Sequence, residues 1–439
     1  MVKQIFKKTY KYRLYPTKSQ QELFEKHLSL CRWLYNHFLD ERRTLYQNNK
    51  IKVSCYDQIK KIPQLKKEKS ELKEIYSQAL QDVVKRLDKA FQNFFRRVKE
   101  SQNGKKQKPG YPRFKSYWRY DSFVYPQFGF ELNEKERKLN HPSDSERSGR
   151  DLSLRLSKIG NIKLKLHRPI EGNVKTLTIR KTRTNKWYAC FSVEIKKELP
   201  KKKVIQEAIG IDVGLDSFLT TSQGKKIDNP RYLTKLEEKL AKIQRWHSRK
   251  KLKSKNRRKS RLKIAKIHEK ITDQRLDFFH KLSNRLTKSF QLVAFEKLNV
   301  KGMVKNRYLA KSISDASWSR FLQQLRYKAA EAGIWAVEIN AKNTSQVCSG
   351  CQTIVLKTIA ARKHQCPFCG LTLDRDINAA RNILQLALLN FAKQNLGGLA
   401  LNTVGTTGIN ACAQSYDWAR GRMTPWSWKN TFDREAGSH

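Results

Sequence analysis

The sequence lacks a long apolar run. A helix needs about 20 consecutive apolar residues to span a bilayer, and the longest apolar stretch here, Ile383 to Ala392, is interrupted by Gln385 and Asn390. The opening residues, Met-Val-Lys-Gln-Ile-Phe-Lys-Lys, are not followed by the apolar core of a secretory signal. We therefore expect neither a membrane protein nor a secreted one.

The closely spaced cysteines of a disulfide framework are lacking as well. Four of the eight cysteines are scattered along the chain, at Cys31, Cys55, Cys190 and Cys412. Scattered cysteines favour reduced thiols in a cytosol over the bridged scaffold of a small secreted protein. The other four cysteines lie close together in two pairs and predict a different kind of site.

Acidic residues are scarce relative to basic ones. The chain has 39 Asp and Glu against 92 Lys and Arg, which gives a formal net charge of +53. Such an excess destabilises a compact state by self-repulsion unless a polyanion neutralises it. Nucleic acid is the natural polyanion, because each neutralised phosphate releases counterions and adds affinity. Charge alone leaves open whether the chain acts on nucleic acid or only packages it, as a histone-like protein does.

The apolar pattern indicates a multidomain α/β protein. The hydrophobic fraction is only 38%, but nine Trp, 16 Tyr and 20 Phe supply bulk for cores, and 439 residues have room for about three domains. Alternating and helical periodicities predict the following main elements: strands over 6–15, within 122–195, and over 208–213, 217–221, 291–296 and 335–339; helices over 18–48, with Thr17 as N-cap, and over 72–99, 233–250, 260–288, 318–332 and 376–393.

One segment of the second half concentrates positive charge. Between Arg245 and Lys270 there are 13 Lys or Arg and a single acid, Glu269. A charge run is usually a solvated helix face, but one-sided charge at this density favours contact with a phosphate backbone. The residues that we expect to bind nucleic acid are Arg245, Arg249, Lys250, Arg257, Arg258 and Lys259.

The clustered cysteines predict a zinc site. Cys348-Ser-Gly-Cys351 and Cys366-Pro-Phe-Cys369 are two C-x2-C loops with 14 residues between them, a spacing typical of a four-cysteine zinc ribbon. Four thiolates complete a tetrahedron and leave no open position, so this Zn²⁺ is expected to be structural and not catalytic. His364 lies just outside the second loop, and we expect it to be an ordinary exposed histidine.

Three acids stand out because each is flanked by apolar residues. Asp212 lies in the apolar strand 209–213, Glu296 closes the apolar strand 292–295, and Asp376 begins a helix directly after the cysteine cluster. Carboxylates that converge on one site bind the divalent cations, such as Mg²⁺, that phosphodiester hydrolysis uses. The alternative for Asp212 alone is an ion pair with one of the many lysines. Asp374, two residues before Asp376, is expected to cap the helix or to pair with Arg375.

Several motifs resemble one known family. Ile211-Asp-Val-Gly, Phe295-Glu-Lys-Leu-Asn-Val-Lys-Gly-Met and Asp374-Arg-Asp-Ile-Asn-Ala-Ala-Arg-Asn-Ile resemble the three RuvC-like motifs of the transposon-associated TnpB proteins, relatives of the type V CRISPR effectors. Tyr12-Arg-Leu-Tyr-Pro-Thr, Tyr111-Pro-Arg-Phe-Lys-Ser and Thr344-Ser-Gln-Val-Cys-Ser are similar to segments of the same family. The resemblance extends from about residue 4 to 412. Gln352 stands where the family usually has Gly.

The resemblance implies a domain organisation. It implies a β-barrel (wedge) over 1–17 and 119–203, a helical recognition lobe over 18–118, a ribonuclease-H-like (RuvC) nuclease domain over 204–340 and 371–395, and an inserted zinc ribbon over 341–370. The remaining residues, 396–439, are rich in Gly, Thr and Asn at their start and are expected to form a disordered tail.

The resemblance also implies an activity: cleavage of double-stranded DNA guided by an RNA from the transposon end, in the prokaryotic cytosol. It gives Asp212, Glu296 and Asp376 the role of ligands to catalytic Mg²⁺, with two ions expected. Two other functions remain open at this point. A strand-transferring transposase would need the same three acids, and a non-catalytic nucleic-acid-binding regulator would need none of them.

Overall fold

The computed structural model describes residues 4–104, 108–134, 151–197, 200, 202–340, 343–358, 361–395, 416–417 and 422–423. The chain divides into two compact units, Met1–Glu198 and Leu199–His439. None of the helices in this described part of the chain is long and apolar enough to cross a membrane. The expected tail, 396–439, lies outside the described residues except for two short paired strands, Tyr416–Asp417 and Arg422–Met423.

The first unit is built on a seven-stranded antiparallel sheet. In chain order its strands are β1 (Gln4–Tyr15), β2 (Ser122–Tyr125), β3 (Phe130–Glu134), β4 (Asp151–Leu156), β5 (Gly160–Lys165), β6 (Asn173–Lys181) and β7 (Trp187–Lys197). Their order in the sheet is β2-β6-β7-β1-β5-β4-β3. The Tyr125 hydroxyl, at the end of one edge strand, donates to the Ser157 carbonyl beyond β4 at 3.1 Å. The sheet therefore curves into a nearly closed barrel, with Tyr12, Phe123 and Phe191 buried inside it.

Three helices lie in the chain between β1 and β2: α1 (Lys18–Asn49), α2 (Cys55–Glu68) and α3 (Ser77–Gln102). Thr17 caps α1 in a reciprocal capping box with Gln20, as the sequence predicted. The predicted start of the third helix at residue 72 was wrong, because residues 70–74 form a separate 3-10 turn. The apolar stripe of α3, including Leu80, Val84 and Leu87, is buried in the core of the unit.

The second unit contains a five-stranded mixed sheet. Its strands are β8 (Ala208–Asp212), β9 (Ser217–Thr221), β10 (Lys226–Asp228), β11 (Leu292–Glu296) and β12 (Trp335–Ile339), in the order β10-β9-β8-β11-β12. The strands β8, β9 and β10 pair antiparallel, whereas β11 is parallel to both β8 and β12.

Helices cover both faces of this sheet. In chain order the helices of the second unit are α4 (Tyr232–Ser248), α5 (Lys255–Ser289), α6 (Val300–Met303), α7 (Ala310–Ala316), α8 (Trp318–Ala332) and α9 (Arg375–Asn395). Of these, α4 packs against α5 in a separate apolar cluster. Ile211 and Phe295 pack in one core with residues of α5 and α8, while Ala208 and Ala294 pack in the other core with residues of α9. A Cβ on Gly210 would lie 2.1 Å from the Ala380 carbonyl oxygen. Glycine at this position therefore lets α9 lie directly against β8.

Candidate metal centres of the second unit

Two of the predicted acids end neighbouring parallel strands. Ile211 in β8 is in register with Phe295 in β11, so Asp212 and Glu296 occupy the next equivalent positions. Side chains along a strand alternate between the two faces of a sheet. Since Ile211 and Phe295 face α5 and α8, Asp212 and Glu296 belong to the opposite face, which α9 covers.

The third acid, Asp376, lies in the first turn of α9, and its neighbour Asp374 has a different role. Oδ1 of Asp374 accepts hydrogen bonds from the backbone N–H groups of Asp376 and Ile377, at 2.9 and 3.4 Å. Oδ2 of Asp374 accepts from the Lys226 ammonium at 2.6 Å. Asp374 therefore caps α9, one of the two roles that the sequence allowed for it, whereas Nε of Arg375 lies 3.5 Å from Oδ1 of Asp376.

The charge environments of these acids differ. Burial, reinforced by the negative charges of Glu296 and Asp376, holds the pKa of Asp212 well above its usual range. Burial also raises the pKa of Glu296, although a hydrogen bond from the Thr344 hydroxyl opposes the shift. Asp374 is the opposite case, since its donors outweigh its burial and lower its pKa. The protein itself thus stabilises the anionic form of Asp374. It provides too little positive charge to stabilise the anionic forms of Asp212 and Glu296 in the same way.

The four cysteines form a compact group. Cys348 Sγ lies 3.6 Å from Cys369 Sγ, Cys351 Sγ lies 3.5 Å from Cys366 Sγ, and all four sulfurs are within 4.8 Å of one another. Sulfurs around a tetrahedral zinc, with bonds of about 2.3 Å, are about 3.8 Å apart, so the group fits Zn²⁺. Among the described His, Cys, Asp and Glu residues, this is the only group of three or more so tightly converged. The three carboxylates are more widely spaced.

The expectation that His364 is exposed was wrong. His364 lies in the short strand β13 (Lys363–Gln365), which pairs with β14 (Thr372–Asp374), and its side chain is fully buried. Lys363 and Gln365 are exposed, so the alternation of the strand turns the imidazole between them inward. Its Nδ1 is hydrogen-bonded to the Lys357 ammonium, and it is not one of the four metal-ligating groups.

Two asparagines of α9 hold the cysteine-bearing segment. Asn378 donates to the Val347 carbonyl at 2.7 Å and accepts from the Ser349 backbone N–H at 2.9 Å. Asn382, one turn later, donates to the carbonyls of Thr344 and Val347, at 2.8 and 2.7 Å. Sequence reasoning missed these residues. The available signal was two amides at i and i+4 of a predicted helix, a spacing that places them side by side.

The predicted basic segment forms the hairpin of α4 and α5. Arg245, Arg249, Arg258 and Lys259 are exposed, and Lys250 is half-buried with its ammonium 4.8 Å from the Trp246 ring. Arg257 is different, because its guanidinium spans the turn between the helices. It donates to the carbonyls of His247 and Lys250, at 3.3 and 2.8 Å.

Family models match three parts of the chain. The IS605 OrfB model, described as a probable transposase, matches residues 190–307, and a Cas12f1-like TNB-domain model matches residues 318–383. A model described as a helix-turn-helix domain matches residues 1–50. In the described part of that region the chain forms one strand and one long helix, β1 and α1.

Individual relatives match much more of the chain. A protein of Streptomyces pristinaespiralis, named as a candidate RNA-guided DNA endonuclease, is 34% identical over 395 residues, which cover 88% of this chain and 91% of the relative. The TnpB-like protein L770 of Acanthamoeba polyphaga mimivirus is 31% identical over 249 residues, 53% of this chain and 47% of that protein. The structure of the mini-RNA-guided endonuclease CRISPR-Cas phi3 has a similar fold, with a TM-score of 0.51, 9% identity, and coverage of 87% of this chain and 92% of that one. The chain belongs to the TnpB family.

Proposed function

We propose that this protein is an RNA-guided DNA endonuclease whose second unit hydrolyses phosphodiester bonds with Mg²⁺ held by Asp212, Glu296 and Asp376. The observation that carries the proposal is the placement of the three acids. Asp212 and Glu296 lie at the ends of adjacent parallel strands. Asp376 lies in the first turn of the helix that covers the same face of the sheet. The name of the Streptomyces relative supports the same activity.

The charge balance of the site supports a bound cation. Buried carboxylates are costly unless they are paired with opposite charge or bind a metal. The pKa of Asp212 is raised by its burial and by two neighbouring acids, and the positive charge of Arg375 offsets this rise only in part. Carboxylate oxygens are the ligands that Mg²⁺ prefers. A divalent cation would therefore relieve the repulsion and favour the anionic forms of all three acids.

The topology of the second unit supports a ribonuclease-H-like nuclease domain. The strand order β10-β9-β8-β11-β12 combines three antiparallel strands with two parallel ones, and helices pack on both faces. The cysteine-bearing segment enters between β12 and α9. We therefore interpret residues 204–340 and 371–395 as one nuclease domain, into which the zinc ribbon is inserted.

Metal-bound carboxylates at this position suit phosphodiester hydrolysis. Mg²⁺ held there would supply positive charge to stabilise the oxygens that attack and leave when the phosphodiester bond is cut. The role of Asp212, Glu296 and Asp376 is to hold Mg²⁺ with their deprotonated carboxylates. The role of Asp374 is to fix the start of α9, and thereby the position of Asp376.

The zinc ribbon serves a structural role in this account. Four thiolates fill the tetrahedral coordination of Zn²⁺, so no position is left for water or substrate. The ribbon segment is hydrogen-bonded to Asn378 and Asn382 on the helix that carries Asp376. Zinc therefore supports the site through α9 without taking part in the reaction.

The exposed cations of the α4–α5 hairpin suit a phosphate backbone. Base pairing between a guide RNA and its target can read sequence while the protein reads shape and charge. The net charge of +53 is consistent with a protein that works as a complex with nucleic acid. We propose an RNA from the transposon end as the guide and double-stranded DNA as the target.

The proposed function is tested by sequencing the RNA that copurifies with the protein and by challenging the complex with matched DNA. We expect one discrete RNA with a variable end, and Mg²⁺-dependent cleavage only of duplexes that pair with that end. Random cellular RNA, or cleavage that ignores pairing, would contradict the proposal. Joined DNA strands instead of free ends would favour the strand-transferring transposase. The IS605 OrfB model, which is described as a probable transposase, is the reason to test this alternative.

A further inference from the structure

One buried threonine bridges the strand that carries Glu296 and the helix that carries Asp376. Thr344 is only 5% exposed and lies in the segment between β12 and the first cysteine loop. Its hydroxyl donates a hydrogen bond to Oε1 of Glu296, and its carbonyl oxygen accepts one from Nδ2 of Asn382 at 2.8 Å. A single residue thus contacts an acid at the end of β11 and an amide on α9.

The contact to Glu296 bears on metal binding because a carboxylate is useful as a ligand only in the correct orientation. Glu296 has three rotatable side-chain bonds, and a donor on one oxygen restricts them. Partners that hydrogen-bond to metal ligands orient those ligands, and removing such a partner typically reduces metal affinity or activity about 10–100-fold. The Thr344 hydroxyl is placed to act on Glu296 in this way.

The contact to Asn382 links the position of Thr344 to the helix α9. Asn382 follows Asp376 by six residues, which is about 9 Å along a helix that rises 1.5 Å per residue. Its Nδ2 also donates to the Val347 carbonyl at 2.7 Å, so the segment 344–347 is held to α9 at two carbonyls. The position of Thr344, and with it the hydroxyl on Glu296, is therefore set by α9.

We propose that Thr344 is a positioning residue of the nuclease site, which orients Glu296 for Mg²⁺ and couples that orientation to the helix that carries Asp376. The inference rests on the proposed function. It assigns a role to Thr344, which begins the family-like segment Thr344-Ser-Gln-Val-Cys-Ser but was given no role from the sequence. The competing explanation is that Thr344 only fills space and stabilises the loop.

The test compares Thr344→Val with Thr344→Ser in the full chain loaded with guide RNA. Valine keeps the shape of threonine and removes the hydroxyl, whereas serine keeps the hydroxyl and removes a methyl group. We expect Thr344→Val to raise the Mg²⁺ concentration for half-maximal cleavage, or to lower the saturated rate, by about 10–100-fold. Thr344→Ser should stay within about threefold of the wild type, and both variants should bind target DNA normally.

Thr287→Val is a matched control, because Thr287 is also buried but its hydroxyl bonds to the Asn284 carbonyl of its own helix. It should leave the Mg²⁺ dependence unchanged. If the wild type cleaves and Thr344→Val matches it in rate and Mg²⁺ dependence, the positioning role is overturned while the proposed function stands. Equal losses in the valine and serine variants would overturn it too, in favour of packing. Absence of Mg²⁺-dependent cleavage in the wild type would overturn the proposed function itself.

Discussion

At the scale of single residues, the sequence pattern located acids and thiols better than the groups that hold them. Asp212, Glu296 and the four cysteines were singled out as candidates because charge in an apolar strand and paired C-x2-C loops are local signals. Thr344, Asn378 and Asn382 were missed, since their roles depend on contacts between segments 29 to 48 residues apart. The hydrogen bonds at the start of α9 show that Asp374 caps this helix, a role that the sequence had left open.

Gln352 illustrates how a departure from the family pattern is accommodated. It stands where the family usually has Gly, and its φ of 64° lies in the left-handed region that favours glycine. Its side-chain amide donates to the Cys348 carbonyl at 3.2 Å and to Oε1 of Gln385 at 2.8 Å. These two hydrogen bonds offset part of the backbone cost, which a sequence alone does not reveal.

The burial of Asp212 predicts a conflict between stability and function. Because burial and the neighbouring acids raise its pKa, the folded protein keeps a proton on Asp212 over a pH range in which the unfolded chain has lost it. Its contribution to the free energy of unfolding therefore falls as pH rises through that range. Without added divalent cations at neutral pH, Asp212→Asn should stabilise the protein by about 0.5–2 kcal/mol, measured as an upward shift of the thermal midpoint.

The matched control for that variant is Asp216→Asn. Asp216 is well exposed and paired with Arg362 at 2.5 Å, and such surface pairs contribute only about 0–1 kcal/mol. Its loss should leave the midpoint unchanged or slightly lower it. Mg²⁺ should raise the midpoint of the wild type and not that of Asp212→Asn, since only a protein that binds the ion is stabilised by it. A lower midpoint for Asp212→Asn than for Asp216→Asn would contradict the account.

At the scale of elements, helices and strands with clear apolar periodicity were predicted well, and polar ends were not. Helix α1 was expected to end at 48 and ends at Asn49, whereas α5 was expected to start at 260 and starts at Lys255. Residues 255–259 are entirely polar, so only the capping hydroxyl of Ser254 marks this start. The helix α2 was not predicted, because Pro63 lies inside it and proline usually breaks a helix.

The proposed zinc ribbon leads to a measurable prediction, that the proposed DNA cleavage depends on zinc. The purified protein should carry one tightly bound Zn²⁺ per chain, because a closed four-thiolate site couples metal binding to local folding. Replacing Cys348 and Cys366 with Ala should remove the zinc and reduce cleavage, since the ribbon segment is attached to α9 through Asn378 and Asn382. Cys190→Ala, in β7, is the control and should keep its zinc. Unchanged zinc content in the double variant would refute the assignment.

At the scale of the whole molecule, the sequence indicated the class of partner and the structure supplied the topology. The net charge predicted that the partner is nucleic acid without any knowledge of the fold, because net charge is a property of composition. The strand order of either sheet could not be derived from periodicity, since pairing joins residues far apart in the chain, such as β1 with β7. The nuclease fold was inferred from the family resemblance, and the order β10-β9-β8-β11-β12 supports it.

The basic hairpin predicts a specific salt dependence of binding. Arg258 and Lys259 are exposed at the start of α5. Replacing both with Gln should weaken RNA binding and flatten the plot of log affinity against log salt by about one unit per lost phosphate contact. Lys281→Gln, later in the same helix, is the control because Lys281 is already paired with Asp277 at 2.8 Å. An unchanged slope for Arg258→Gln with Lys259→Gln would indicate that the hairpin is only a solvated face.

The central claim, that Asp212, Glu296 and Asp376 hold the catalytic Mg²⁺, is tested most directly by comparing Asp376→Asn with Asp374→Asn. Cleavage of a matched DNA duplex by the RNA-loaded protein is the measurement, and target binding is measured alongside it. Asparagine caps helices about as well as aspartate, so Asp374→Asn should preserve α9 and retain most of the activity. Asp376→Asn should bind the target normally and lose cleavage. Normal cleavage by Asp376→Asn, with loss in Asp374→Asn, would contradict the account.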